Sequence, residues 1–92
     1  MREVLFGKKA ILTRMRPEDR DALRVLGLEA PPEGALVYTL RDGAGLPRGY
    51  LALVEGRLLG RSVEEELLKD AKRTFLAELE REGMEVRDEG GA

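Results

Sequence analysis

Residues Arg41 to Gly49 read RDGAGLPRG, and the reading of this stretch decides the fold. Gly43, Gly45 and Gly49 lie between and beside two arginines. Such a run is either a backbone cradle for phosphate or a turn between two strands. A phosphate loop leads from a strand into a helix, so that helix N–H groups point at the anion, and its last glycine precedes Lys and Ser or Thr. Here Gly49 precedes Tyr50-Leu51-Ala52, a strand pattern. The dinucleotide fingerprint G-x-G-x-x-G needs glycine where Arg48 stands. Pro47 removes one N–H donor. The stretch is therefore read as a hairpin loop, with Arg41 and Arg48 at its base as candidate anion contacts.

A hairpin loop makes neighbours of the segments on either side. In ALVYTLR, residues 35–41, Leu36, Tyr38 and Leu40 alternate with Ala35, Val37 and Thr39. In GYLALVE, residues 49–55, Tyr50, Ala52 and Val54 alternate with Leu51 and Leu53. Period-two alternation marks strands. Glu55-Gly56 makes a tight turn into Arg57-Leu58-Leu59. A three-stranded antiparallel meander over 35–59 follows. Both its faces are apolar, so a helix or a second subunit must cover each.

Outward from the meander, Ser62-Val63-Glu64-Glu65 has the form of a capping box. Behind it Val63, Leu67, Leu68, Ala71, Phe75, Leu76 and Leu79 recur at helical spacing, giving a long C-terminal helix over 62–82 that ends at Gly83. Met84-Glu85-Val86 suits a short edge strand, and the polar tail 87–92 is expected to fray. On the N-terminal side, Pro17 followed by Glu18, Asp19 and Asp21 opens a short helix over 17–26 that Gly27 caps. Residues 29–34 are loop by composition. Val4-Leu5-Phe6 and Ala10-Ile11-Leu12 flank a Gly7-Lys8 turn signal and read as an N-terminal hairpin. A helix through Gly7 is the competing reading, because Val4, Ile11 and Met15 would share its face. The chain is one α+β domain over 1–92.

Composition bounds the function. The chain has 92 residues, 42% hydrophobic and 37% charged, with a net charge of −2. A domain of this size is marginal alone, which favours a homodimer. No apolar run approaches the length of a membrane span, so no membrane partner is expected, and a cytoplasmic location is. Cys and His are absent, as are Asn, Gln and Trp, and Ser62 is the single serine. Thiolate and imidazole chemistry and Cys-based metal sites are thereby excluded. No enzyme activity, metal or cofactor is expected. The loss of Asn, Gln and Cys beside many Glu and Arg is the bias of a thermophile's protein. Charge is uneven: +3 over residues 1–24, −1 over 25–60 and −4 over 61–92. Such a chain is built to pair its own ends, within one molecule or across a dimer.

Three constellations compete with plain structural roles. Ser62 with Lys69 or Lys72 lacks anything that gathers it into a pocket; both lysines fall on the exposed side of the long helix. Glu66 and Asp70 share a helix face, but Lys69 and Arg73 are interleaved, so salt-bridged surface is preferred to a cation site. Arg14, Arg16 and Arg20 form a basic N-terminal patch suited to phosphate backbones. Bases would lack a stacking platform there, because Phe6, the one nearby aromatic, reads as core.

Two stretches resemble pieces of the acetyl-coenzyme-A-dependent N-acetyltransferase superfamily. RMRPEDRDAL, Arg14 to Leu23, is similar to the strand-to-helix start of those enzymes, and YLALVEGRLLG, Tyr50 to Gly60, to their central hairpin. The resemblance implies a pyrophosphate loop after Gly60. Arg61-Ser62-Val63-Glu64-Glu65-Glu66 is acidic there and lacks the glycines, so no cofactor and no catalytic residue carries over. The leading expectation is a small accessory protein that binds another protein and itself. Nucleic-acid or nucleotide binding through Arg14, Arg16, Arg20, Arg41 and Arg48 is the alternative. A partial N-acetyltransferase-like domain is the third.

Overall fold

The computed structural model describes residues 1–88. The order of elements is β1 (Val4–Phe6), β2 (Ile11–Arg14), α1 (Pro17–Val25), β3 (Leu36–Arg41), β4 (Pro47–Val54), β5 (Arg57–Ser62), α2 (Glu65–Arg81) and β6 (Arg87–Asp88). The strands form one sheet in sequence order, antiparallel from β1 to β5, with β6 parallel to β5. This is an α+β fold. The expected meander is present and runs on to Ser62. The N-terminal hairpin joins it through β2 and β3, with Leu12 opposite Leu40 and Thr13 opposite Thr39.

Alternation along the strands sends side chains into two clusters. On one face Leu5, Leu12, Tyr38, Leu40, Leu51 and Leu58 meet Leu67, Leu68, Ala71, Phe75 and Leu79 of α2. Tyr38 and Phe75 are fully buried there and meet edge to face, with ring centroids 5.2 Å apart. On the other face Tyr50 and Ala52 are covered by Leu23 of α1, with Met15, Leu28, Val37 and Leu59 around them. The short helix thus covers the second face of the meander.

Several expectations are corrected. The long helix starts at Glu65, not Ser62, and Glu64 is its N-cap without a side-chain capping bond. Ser62 stays in β5, paired with Gly49. Its hydroxyl accepts from the Glu64 amide at 3.0 Å. The strand wins because Gly49 lets β4 and β5 approach closely: a Cβ at Gly49 would lie 2.7 Å from the Ser62 Cα. Val63, no longer on the helix, is 45% exposed. The expected edge strand lies slightly later, at Arg87–Asp88, so the expected frayed tail begins in a paired strand; residues 89–92 lie outside the described residues.

The acidic helix is not simply a solvated face. Asp70 and Glu78 are buried. The Asp70 carboxylate accepts backbone N–H bonds from Lys8, Lys9 and Ala10 at 3.3, 2.8 and 2.9 Å, and so holds the β1–β2 turn. Burial pushes this carboxyl up; the three amides and Arg73 more than offset it and hold it below the usual carboxylate range. Arg2 makes a forked bond to Glu78 at 3.1 and 2.8 Å. The basic N-terminus and the acidic helix therefore pair within one chain. Lys72 is also buried rather than exposed, with its Nζ 3.1 Å from Asp88.

Candidate functional site

The glycine loop is a turn held by its own side chains. Asp42 Oδ1 accepts from the amides of Ala44 and Leu46 at 2.9 and 3.0 Å, and Oδ2 accepts from Arg48 Nε at 3.1 Å. Leu40 pairs with Gly49 and Arg41 with Pro47, so Arg48 is the extra residue of a β-bulge. Its guanidinium also lies 3.6 Å from Glu64.

Arg41 is committed further. Its NH2 donates to Asp19 at 2.6 Å, its Nε to Thr13 Oγ1 at 3.0 Å and its NH1 to the Gly45 carbonyl at 3.1 Å. Asp19 is buried between α1 and the sheet, where it also accepts from Thr39 Oγ1 at 3.0 Å and the Arg16 amide at 3.2 Å. Burial raises this carboxyl, and the bonds from Arg41, Arg16 and Thr39 outweigh burial and lower it. Both arginines of the loop thus spend their donors on internal partners.

The other three expected arginines come together. Arg14, at the end of β2, Arg16, the N-cap of α1, and Arg20, one turn into α1, line an open cleft of about 470 Å³ floored by Met15, Ala35 and Val37. Among the described residues none of the three has a carboxylate within ion-pair distance. Arg14 lies over the Tyr38 ring, 5.7 Å from its centroid. Asp21, the acid on the rim, is 3.5 Å from Arg24.

A second surface differs from the expectation. Phe6 is 74% exposed, not core. It shares the α1 side of the sheet with Val4, which is 40% exposed, and Ile11. Helix α1 packs chiefly on β4, and Val4 and Phe6 stay exposed. The signal was available: in a strand, Leu5 inward forces Val4 and Phe6 outward. In sequence Asp19 is a first-turn charge favoured by the helix dipole; its burial depends on Thr39 and Arg41, distant in sequence.

The segments resembling N-acetyltransferases are a strand-to-helix junction, β2 to α1, and the β4–β5 hairpin. After Gly60, β5 passes into α2 through Val63 and Glu64 alone, and Glu65 and Glu66 occupy the first helical turn. Carboxylates there repel the anion that a helix N-terminus would otherwise attract. Among the described residues no helix is long and apolar enough to cross a membrane. No protein-family model, curated protein or solved structure matches this chain.

Proposed function

We propose that this chain is a binding protein that works through protein–protein contact, with strand β1 and its outer face as the contact surface. The observation that carries this is the exposure of Phe6 on an edge strand. Beside it Val4 is exposed as well, so an aromatic and a β-branched residue stand open together on this edge strand. Phe6→benzoylphenylalanine, irradiated in the intact cell, is expected to give protein adducts of discrete mass. The same probe replacing Val25, also exposed but on α1, is expected to give none. Adducts at Val25 and none at Phe6 would sink the reading.

A second reading rests on the cleft of Arg14, Arg16 and Arg20, which have no carboxylate partner among the described residues and suit a phosphate backbone. The composition, together with buried charges held in networks, supports a protein adapted to high temperature; unfolding is then expected above about 65 °C, the upper edge of the mesophile cluster.

A further inference from the structure

The turn that ends α1 builds a second pocket beside the arginine cleft. Gly27 adopts a positive φ of 82°, and the Leu28 amide donates to the Leu23 carbonyl at 3.2 Å. The chain therefore doubles back, and residues 28–31 return beside Leu23 and Met15. Leu23 and Pro31 are buried there, and Met15 and Leu28 are half-buried. With Ala30 they line an apolar pocket of about 130 Å³, and the exposed Arg24 and Glu29 stand on its rim. That is close to the size, about 150 Å³, at which an apolar cavity takes a single aromatic ring. Pocket and cleft are neighbours, with Met15 and Arg20 forming the wall common to both.

Taking the cleft as the phosphate site of the second reading above, we propose that cleft and pocket together hold one nucleotide unit. Its phosphate lies among Arg14, Arg16 and Arg20, and its base enters the pocket. The cleft supplies charge. Its three guanidinia have no carboxylate partner among the described residues, and a guanidinium fork matches phosphate oxygens two at a time. All three stand at the junction of β2 and α1, which the Met15 amide ties to the sheet through the Val37 carbonyl at 3.0 Å. The cluster is thus held in place before a ligand arrives, which lowers the cost of binding.

The pocket supplies what a ring needs. Leu23, Leu28 and Pro31 offer apolar walls, and the Met15 thioether makes favourable contacts with aromatic rings. Arg20 carries a planar guanidinium of the kind on which bases stack. The rim adds a donor, Arg24, and an acceptor, Glu29, for the polar edge of a base; an aliphatic tail would leave both unused. Base and phosphate of one nucleotide are separated by a single sugar, and pocket and cleft by a single pair of side chains. A free nucleotide and a nucleotide within a single strand present the same chemistry to this site.

Fluorescence anisotropy at low salt tests this with two labelled strands, one of deoxyadenosine nucleotides and one of the same length lacking every base. Their phosphates are identical. The wild type is expected to bind the intact strand about tenfold more tightly. Ala30→Leu, at an exposed position on the pocket wall, fills the pocket. It is expected to abolish that preference and to leave both the affinity for the baseless strand and the circular dichroism spectrum unchanged. Equal binding of the two strands by the wild type overturns the base pocket and leaves the phosphate reading standing. A preference that survives Ala30→Leu places the base elsewhere and overturns the pocket as well. Binding of neither strand overturns both the pocket and the phosphate reading. Competition by adenosine monophosphate separates the two sources of the ligand. Displacement in the strand's own concentration range shows that a free nucleotide suffices. Displacement only in large excess, or none, shows that the neighbouring phosphates of a strand are needed; either result, with the preference intact, supports the site.

Discussion

The Asp19 carboxylate sits 2.6 Å from the Arg41 guanidinium, and this pair ties α1 to the sheet. Asp19 belongs to the first turn of the helix and Arg41 to the end of β3. Thr39, Thr13 and the Gly45 carbonyl complete the network, which also anchors the glycine loop. A helix of this length is unstable in isolation, so its docking depends on Leu23 and this buried charge pair. Removing one partner leaves the other buried and uncompensated. Asp19→Ala is expected to cost about 3 kcal/mol in denaturant unfolding. Replacing both Asp19 and Arg41 by apolar residues is expected to cost less than the single change. Equal costs would show that the pair is not the tie.

Acid should weaken the fold in a defined window. Asp19, Asp42, Asp70 and Glu78 are all held below their ordinary values in the folded state. The unfolded chain, with carboxyls near 4, therefore binds protons first as the pH drops. Stability is fully present above that value and is lost as pH falls through the folded values. The chain has no His, so no imidazole titration occurs between pH 5 and 7. Unfolding free energy measured from pH 2 to 7 should be level from about 5 upward and fall below about 4. Asp70→Asn should lower the plateau by about 2 kcal/mol and make the fall shallower. A plateau that declines between 5 and 7 would contradict this.

Two glycines of the hairpin should respond differently. A Cβ at Gly49 would run into the Arg61 carbonyl oxygen, which belongs to backbone, whereas one at Gly43 meets nothing within 4 Å. Gly49→Ala is expected to destabilise by about 1–3 kcal/mol, and Gly43→Ala to lie within about 0.5 kcal/mol of the wild type. Thermal unfolding distinguishes them. A Gly43→Ala change as costly as Gly49→Ala would mean that the loop is built differently.

If the cleft holds phosphates, the five arginines divide into two groups. Arg14→Glu, Arg16→Glu and Arg20→Glu should each weaken binding to single-stranded RNA and flatten its salt dependence. Arg48→Ala should leave both unchanged, because Arg48 already pairs with Asp42 and Glu64. The wild-type slope of log K against log salt is expected near about −2, from roughly three single-strand contacts. Fluorescence anisotropy at several salt concentrations measures it. No binding at low salt would remove this reading.

Most of the scaffold was legible because its signals are local. Alternation from Leu36 to Leu40 and from Tyr50 to Val54 marked the strands, and the apolar spacing from Leu67 to Leu79 marked the helix. What misled were positions decided by distant partners. Ser62 has good capping chemistry, but its pairing with Gly49 keeps it in the sheet. Asp70 and Lys72 look like solvated helix residues until the hairpin and β6 fold over them. Of the five candidate arginines, the sequence placed Arg14, Arg16 and Arg20 in a basic patch and Arg41 and Arg48 at the base of the glycine loop. It had no means of seeing that Asp19 and Asp42 neutralise Arg41 and Arg48, while Arg14, Arg16 and Arg20 have no carboxylate partner among the described residues.

The contact surface at β1 is tested most directly by native mass spectrometry of the wild type and Phe6→Lys, sprayed at the same protein concentration and low salt. The contact surface at β1 predicts that the wild type carries a protein companion and that the variant loses it. A variant that keeps the same companions as the wild type, or a wild type that flies only as a monomer bearing a nucleotide or oligonucleotide, would contradict it.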